Sequence, residues 1–551
     1  MRVSLLVLKC APLLVLAGSV AAAAQAQDVP GTPPTTAPPP TPQTPAQVPA
    51  VLGPEKNICA ARADPVAVGS VQWNGWGRDL SNTRYQPEPA IRAMDVPKLS
   101  LKWAFGFQGG AEFGQPTMVD GRLFVTSSSG RVYALDAKSG CTYWTYDAPA
   151  GSRTAVSIGE LGRAKRVAIP RKLKRTLAHL DVIKAPSAAF FGDDAGAVYA
   201  LDAQKGTLLW KTQVDAHPTA RIIGAPTLYQ DRLYVAVGSN EDKNSANPNY
   251  SCCTFRGSIS SIDIASGRVL WKSYTVLEEP QATRKNDAGV QEFGPAGAAI
   301  ASSPTIDPKR GVLYVGTGPS TTGVEQSLTD AVASFALSDG KLRWVKQLKK
   351  GQPASGGFTS PPVLRTLASG NEVILAGQIS GVVYGLDPDH GGEILWQNRL
   401  GADGDGSGVG WGAAVDHRSL YVALSGSLAQ PGNPGGSLWA LDPKTGIARW
   451  HTKAPAPACS WTEGSCSHGQ SQAVTVMPGG VFSGSMDGHL RAYSTIDGKI
   501  LWDFDTAKAF QTQNGVRAAG GPLDYGGATI VNGSVYINSG NTLLAFSVDG
   551  K

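Results

Sequence analysis

The side chains of this sequence that could do chemistry are, first of all, its cysteines. Seven are present, and two of them, Cys252 and Cys253, are adjacent. Cys10 lies in an apolar N-terminal run that reads as removable, which leaves six: Cys59, Cys141, Cys252, Cys253, Cys459 and Cys466. In an oxidising compartment an even number favours three bridges, although spacing alone does not fix the connectivity. Proximity pairs Cys252 with Cys253 and Cys459 with Cys466, and exclusion leaves Cys59 with Cys141. Two free thiols or a loop staple remain the alternatives for the adjacent pair. No Cys-x-x-Cys-His stretch occurs, so a covalently attached c-type haem is not expected. The seven histidines are scattered, and no Ser-His-Asp arrangement or metal-ligand cluster supports a hydrolase or lyase.

The elements that must position these residues begin after an export signal. Arg2 and Lys9 flank an apolar run from Leu5 to Val20, and an Ala-Gln-Ala site follows within Ala21–Ala26. The run is too short for a membrane anchor and no basic stop-transfer segment follows it. Residues 1–26 are therefore read as a signal peptide, and the chain as exported to the periplasm. Residues 27–52 are dominated by Pro, Thr, Ala and Gln and form an extended linker. The remainder, 53–551, belongs to one folded body. Its composition has 66 glycines and only 17% charged residues, which favours short strands joined by tight turns over helices. A net charge of +6 is too weak to imply nucleic acid. A basic stretch, RAKRVAIPRKLKRT (163–176), reads as an exposed excursion, either a solvated loop or a surface that steers an acidic partner.

The folded body is a repeat. VYALDAKSGCTYW ends at Trp144 and VYALDAQKGTLLW at Trp210; five further copies end at Trp271, Trp344, Trp396, Trp450 and Trp502. Each alternates apolar and polar residues, turns at Asp-x-x-x-Gly, and alternates again into the tryptophan, which is a strand–turn–strand signature. The glycine accommodates a positive φ in the turn, and the aspartate bonds its own backbone there. LLAFS (543–547) is a first half without its tryptophan strand, and LSLKW, ending at Trp103, is a tryptophan strand without its first half. Joined, they make an eighth unit from the two ends of the chain. The expected fold is all-β: an eight-bladed β-propeller closed by its termini, with no open sheet edge. The tryptophans are expected to pack between blades.

The A-x-D-x-x-x-G-x-x-x-W units resemble the tryptophan-docking repeats of pyrroloquinoline-quinone (PQQ) dehydrogenases. WNGWGRDLSNTRYQP (73–87), LKWAFGF (101–107), HPTARIIGAP (217–226), CCTFRGS (252–258), GPAGAAIASSPTID (294–307) and DGHLRAY (487–493) resemble segments of the polyvinyl-alcohol dehydrogenase group. The resemblance runs from about residue 70 to 551. It implies an exported alcohol dehydrogenase with PQQ at the centre of the ring, calcium polarising the quinone, and an external cytochrome c receiving electrons. It further implies that Cys252–Cys253 presents a flat face to the cofactor and that Arg256 approaches a PQQ carboxylate. The planar fork of Arg256 suits that partner, though an arginine capping a strand is the plainer reading. Glu241, in GSNED, corresponds to an acidic metal ligand, or to a solvated loop residue. Trp411 in GWG and Asn514 in TQNGV fall in segments similar to the cofactor-pocket floor.

Four positions depart from the family pattern. Ala301 stands where relatives carry a stacking tryptophan, Pro319 where they offer an Asn or Asp to the metal, and Ile379 where they place a lysine. The stretch KQLKKGQPASGGFTSPPVL after Trp344 contains no aspartate, whereas relatives place the catalytic one there. Together these departures remove a ring, a metal ligand, a cation and a base. The catalytic residue is therefore unassigned. Two readings follow: a PQQ-dependent dehydrogenase acting on polyvinyl alcohol or another secondary alcohol, and a non-catalytic propeller serving as a binding or assembly scaffold.

Overall fold

Glycine at the repeat turn does two jobs, and together they explain the ring. The computed structural model describes residues 52–61, 64–69, 72–111, 114–161, 187–322, 324, 326–348, 357–401, 408–426, 435–457, 459 and 466–551. The leader, the linker and the basic stretch 163–176 lie outside the described residues. In the turns, Gly140, Gly206 and Gly267 all have φ of 72°. A Cβ on Gly206 would stand 2.5 Å from the ring of Trp144, one blade earlier. The missing side chain thus permits both the left-handed backbone and the docking of the neighbouring tryptophan. The indole then donates to the blade it touches: Trp144 Nε1 to the Ala203 carbonyl at 3.1 Å, Trp210 to Ile264 at 2.8 Å and Trp502 to Leu99 at 2.9 Å. The turn aspartates cap locally, as Asp136 does by accepting from the backbone N–H and hydroxyl of Ser139.

Eight antiparallel sheets form the ring, seven of four strands and one of five. Blade 1 runs through Thr117–Val119, Arg122–Thr126, Arg131–Asp136 and Thr142–Asp147, from inside to outside. Blades 2 to 7 begin at inner strands Ser157–Glu160, Thr227–Tyr229, Thr305–Asp307, Val363–Thr366, Ala414–Val415 and Thr475–Met477. Blade 8 is closed by the two chain ends. Leu99–Gly106 pairs antiparallel with Thr542–Val548, with Leu101 opposite Phe546 and Trp103 opposite Ala545. Disulfides join Cys59 to Cys141, Cys252 to Cys253 and Cys459 to Cys466.

Residues 73–86 belong to no blade. They run as a strap around the axis and touch the inner strands in order. Trp73 pairs with Met118 of blade 1, and Asn74 exchanges side-chain hydrogen bonds with Ile158 of blade 2. Leu80 packs in a cluster with Tyr229 of blade 3 and accepts from Ile306 N of blade 4. The carbonyls of Ser81, Thr83 and Arg84 accept from Leu364, Val415 and Val476 of blades 5, 6 and 7. Gln86 Nε2 donates to Ile530 O of blade 8 at 2.8 Å. Inner-strand backbone that would otherwise face an open channel is thereby satisfied.

At the centre of the strap Arg84 is 1% exposed. Among the described residues its guanidinium has no carboxylate partner; it donates to the carbonyls of Val474 (2.6 Å) and Trp76 (2.7 Å), to Gln115 Oε1 (2.8 Å) and to Thr475 Oγ1 (3.0 Å). It also lies over the rings of Trp73 and Trp76. Burial pushes its pKa down to about 9, which leaves it charged at neutral pH.

Candidate functional site

The adjacent cysteines sit on the loop between blade 3 strands Arg232–Ser239 and Ser258–Asp263, and Glu241 builds that loop. Its side chain is 1% exposed. Oε1 accepts from Thr254 N at 2.9 Å and from the Tyr250 hydroxyl at 3.1 Å, while Oε2 accepts from Phe255 N at 2.9 Å. His217 closes the other side: Nε2 is 2.9 Å from Thr254 Oγ1 and Nδ1 is 2.9 Å from Thr219 Oγ1. Burial pushes the His217 pKa below its ordinary value, against the pull of Glu241 and Asp215.

A hairpin that the repeat pattern does not contain leans on this loop. Its strands, Gln281–Lys285 and Gln291–Gly294, follow the last strand of blade 3. Phe293 N donates to Cys252 O at 2.7 Å, and Cys253 N to Phe293 O at 3.3 Å. Cys253 is buried, while Cys252 forms part of the wall of a cleft of about 480 Å³. The hairpin contributes Thr283, Arg284, Glu292 and Phe293 to this cleft, and the blade 4 loop contributes Thr321, Thr322 and Val324. Arg284 Nε donates to Glu292 Oε2 at 2.8 Å. Thr321 Oγ1 is buried with no hydrogen-bond partner among the described residues.

The other expected site residues lie elsewhere. Arg256 is not on the cleft wall; it pairs with Glu279 and stacks on Tyr274 at 4.0 Å. Asn514 accepts from Gly106 N at 3.0 Å and donates to Gly106 O at 2.8 Å, so it pins the closing strand of blade 8. Trp411 lies at the axis, in a chamber shared with Trp76, Arg153, Ala301 and Tyr525. That chamber is nearly closed, at about 10 Å³. The Tyr525 ring stacks on Trp411 at 4.0 Å, and Trp411 Nε1 donates to Asp524 Oδ1 at 2.8 Å. No residue lines both cleft and chamber, so the six expected positions divide among several places rather than converging on one.

The two groups implied by the resemblance fit this geometry differently. A planar quinone fits the cleft: a vicinal disulfide and Phe293 supply flat surface, and the orphan Thr321 hydroxyl and Arg284 supply donors. A divalent cation does not fit at Glu241, whose two oxygens are already turned to two backbone N–H groups and a phenol. Pro319 offers only a carbonyl, and that accepts from Ala298 N. Among the described residues no group of three His, Cys, Asp or Glu side chains gathers, whereas calcium requires six to eight oxygens.

The fold and cleft can be set beside known proteins. A family model described as glucose/ethanol/alcohol dehydrogenase, beta-propeller domain, matches residues 73–396, and one described as outer membrane protein assembly factor BamB matches 379–551. A polyvinylalcohol dehydrogenase of Pseudomonas sp is 41% identical, spanning 90% of this chain and 80% of that protein. The chain belongs to the polyvinyl alcohol dehydrogenase group of the quinoprotein alcohol dehydrogenases. A second member, from Sphingopyxis sp. (strain 113P3), is 38% identical over 90% of this chain and 79% of its own length. The quinohemoprotein alcohol dehydrogenase of Comamonas testosteroni shares the fold, with a TM-score of 0.62 at 20% identity over 87% of this chain and 81% of that one.

Of the cleft walls, resemblance pointed to Cys252 but not to the hairpin. The signal for the hairpin was present: Asn-Asp-Ala-Gly (286–289) is a turn sequence between two short alternating runs. The polar character of QATRK hid it.

Proposed function

We propose that this propeller is an exported alcohol dehydrogenase of the quinoprotein type, working in the periplasm, with PQQ held in the cleft beside Cys252–Cys253. The observation that carries this is a disulfide-walled cleft of about 480 Å³ in a chain of the polyvinyl alcohol dehydrogenase group. Bound there, PQQ would supply a two-electron acceptor for an alcohol carbon. The hairpin would cover the cofactor with Phe293, and Thr321 and Thr322 would hydrogen-bond its polar edge. Glu292 is the carboxylate on the wall and takes the role of accepting the hydroxyl proton. Secondary alcohols, polyvinyl alcohol among them, are the substrate class, and a cytochrome c is the electron acceptor.

A second reading, a non-catalytic propeller of the same ancestry, is favoured by Ala301, Pro319 and Ile379 and by the closed axial chamber. Titration of purified mature protein with PQQ, followed by absorbance and calorimetry, separates the two. Saturable binding that is lost in Cys252→Ser/Cys253→Ser, with alcohol-dependent reduction of an artificial acceptor, supports the dehydrogenase. Absence of binding by folded protein overturns it in favour of the scaffold.

A further inference from the structure

The strap walls a second pocket, distinct from the cleft. It lies against blades 2 and 3, has a volume of about 160 Å³, and is lined by Gln72, Trp76, Arg78, Asp79, Ser157 and Thr227 among others. That volume corresponds to about five waters at liquid density. Trp76 is the wall it shares with the axial chamber.

Its polar groups are divided unevenly. Asp79 is committed to its own turn: Oδ1 accepts from Ser81 N at 3.1 Å and Thr83 N at 3.0 Å, and Oδ2 accepts from the Thr83 hydroxyl. Burial pushes its pKa up, against these hydrogen bonds. Arg78 meets Asp79 through charge alone, favouring the ionised carboxylate. Its guanidinium makes no hydrogen bond or salt bridge among the described residues, and its Nε is buried without a partner. The Trp76 indole N–H and Gln72 Oε1 are also buried and unpartnered among the described residues. Arg78 further holds φ at 71°, a left-handed backbone that a non-glycine residue adopts only under constraint. Arg84, six residues on, shows what a structural arginine in this strap looks like: its donors are matched to carbonyls and side-chain oxygens. Positive φ does not separate the two, since Arg84 also holds 50°; what does is the buried Arg78 Nε, which has no acceptor among the described residues.

We propose that this pocket binds a small oxyanion, a carboxylate or a phosphate, received by the Arg78 fork with the Trp76 N–H beside it. The guanidinium geometry suits either anion. Carboxylate oxygens in the wall would oppose an anion, and the single one there, Asp79, is turned to Ser81 and Thr83.

Calorimetric titration of the whole mature protein with sodium acetate and with inorganic phosphate, at ionic strength fixed with sodium chloride, tests this. One saturable site for either anion is expected; which anion binds tells a carboxylate pocket from a phosphate pocket. Arg78→Gly removes the cation while accepting the backbone φ, so its melting temperature is expected to be equal or higher. Its affinity is expected to fall about tenfold or more, as when a charge-assisted hydrogen-bond pair is lost. Three results each overturn the proposal: no saturable heat with either anion, undiminished binding in Arg78→Gly, or a lowered melting temperature for that variant, which would make the side chain a structural one.

Discussion

The axis and the cleft are built on opposite plans. At the axis, a strap that touches all eight blades leaves its buried arginine, Arg84, with four acceptors and two aromatic faces. At the cleft, two short strands and two loops leave the Thr321 hydroxyl without a partner among the described residues, beside an open volume of about 480 Å³. The first arrangement serves cohesion, since the donors of Arg84 are consumed by the protein. The second keeps groups in reserve for something that is not protein. The difference teaches that the ring can keep its stability while its ligand chemistry changes, because the residues carrying the two are not shared.

The comparison breaks if stability proves to reside in the cleft. Arg84→Met strips donors from the Val474 and Trp76 carbonyls and from Gln115 and Thr475 in one step. The expected loss is about 3–5 kcal/mol, read as a fall in the urea midpoint. Cys252→Ser/Cys253→Ser is expected to unfold within about 1 kcal/mol of the parent, because a bridge between neighbours closes no loop and constrains the unfolded chain little. For chemistry the ranking inverts. Glu292→Gln is expected to lower the kcat for alcohol oxidation about 10²-fold with the urea midpoint unchanged, as for loss of a general base. Trp411→Phe, at the axis, is expected to leave kcat within about twofold, since its ring already faces Tyr525 and one hydrogen bond is the main loss. A large kcat effect at Trp411 with none at Glu292 would move the reaction to the axis. Trp144→Phe is smaller again in its scope: one inter-blade hydrogen bond, about 1 kcal/mol, and no effect on either pocket.

What the sequence made legible follows from range. The blade unit is written locally, in a tryptophan and a turn glycine whose spacing repeats, and even the joining of Leu99–Gly106 to Thr542–Val548 could be read from two complementary halves. The three disulfides followed from neighbourhood and exclusion. The strap could not be read in this way. Residues 73–86 hold the inner strands mainly through backbone groups and amides, which leave no periodicity in the chain. Nothing in the composition separates Arg84 from Arg78, yet one is saturated while the guanidinium of the other makes no hydrogen bond among the described residues. Asn514 is instructive too. Its segment resembles a pocket floor, but its amide is spent on Gly106, because likeness of segment fixes a place in the ring and not the partner of a side chain.

Acid sharpens the contrast between the hub and the outer parts of the blades. Arg84 is held by groups that do not titrate below neutrality, so the hub has no reason to loosen as pH falls. Blade 7 does. There Arg491, 2% exposed, donates to Asp487 Oδ2 at 2.9 Å, and Asp487 also accepts from Ser485. Burial alone would raise the Asp487 pKa, but the hydrogen bonds from Arg491 and Ser485 outweigh it and the pKa lies below its ordinary 3.8. A carboxylate whose folded pKa is depressed gives its full stabilisation above the unfolded value and loses it as pH falls through the folded one. Stability should therefore keep the full contribution of this pair down to about pH 4 and lose it below, the smallest of the expected effects. Amide hydrogen exchange at pH 3 should report opening first along His489–Ser494, while Met118 and Ile158, held by the strap, stay protected. Asp487→Asn, which cannot titrate, should flatten that acid limb at the cost of lower stability at neutral pH. Exchange that begins at Met118 instead would mean that the strap, not the blade 7 ion pair, is the first part of the ring to yield.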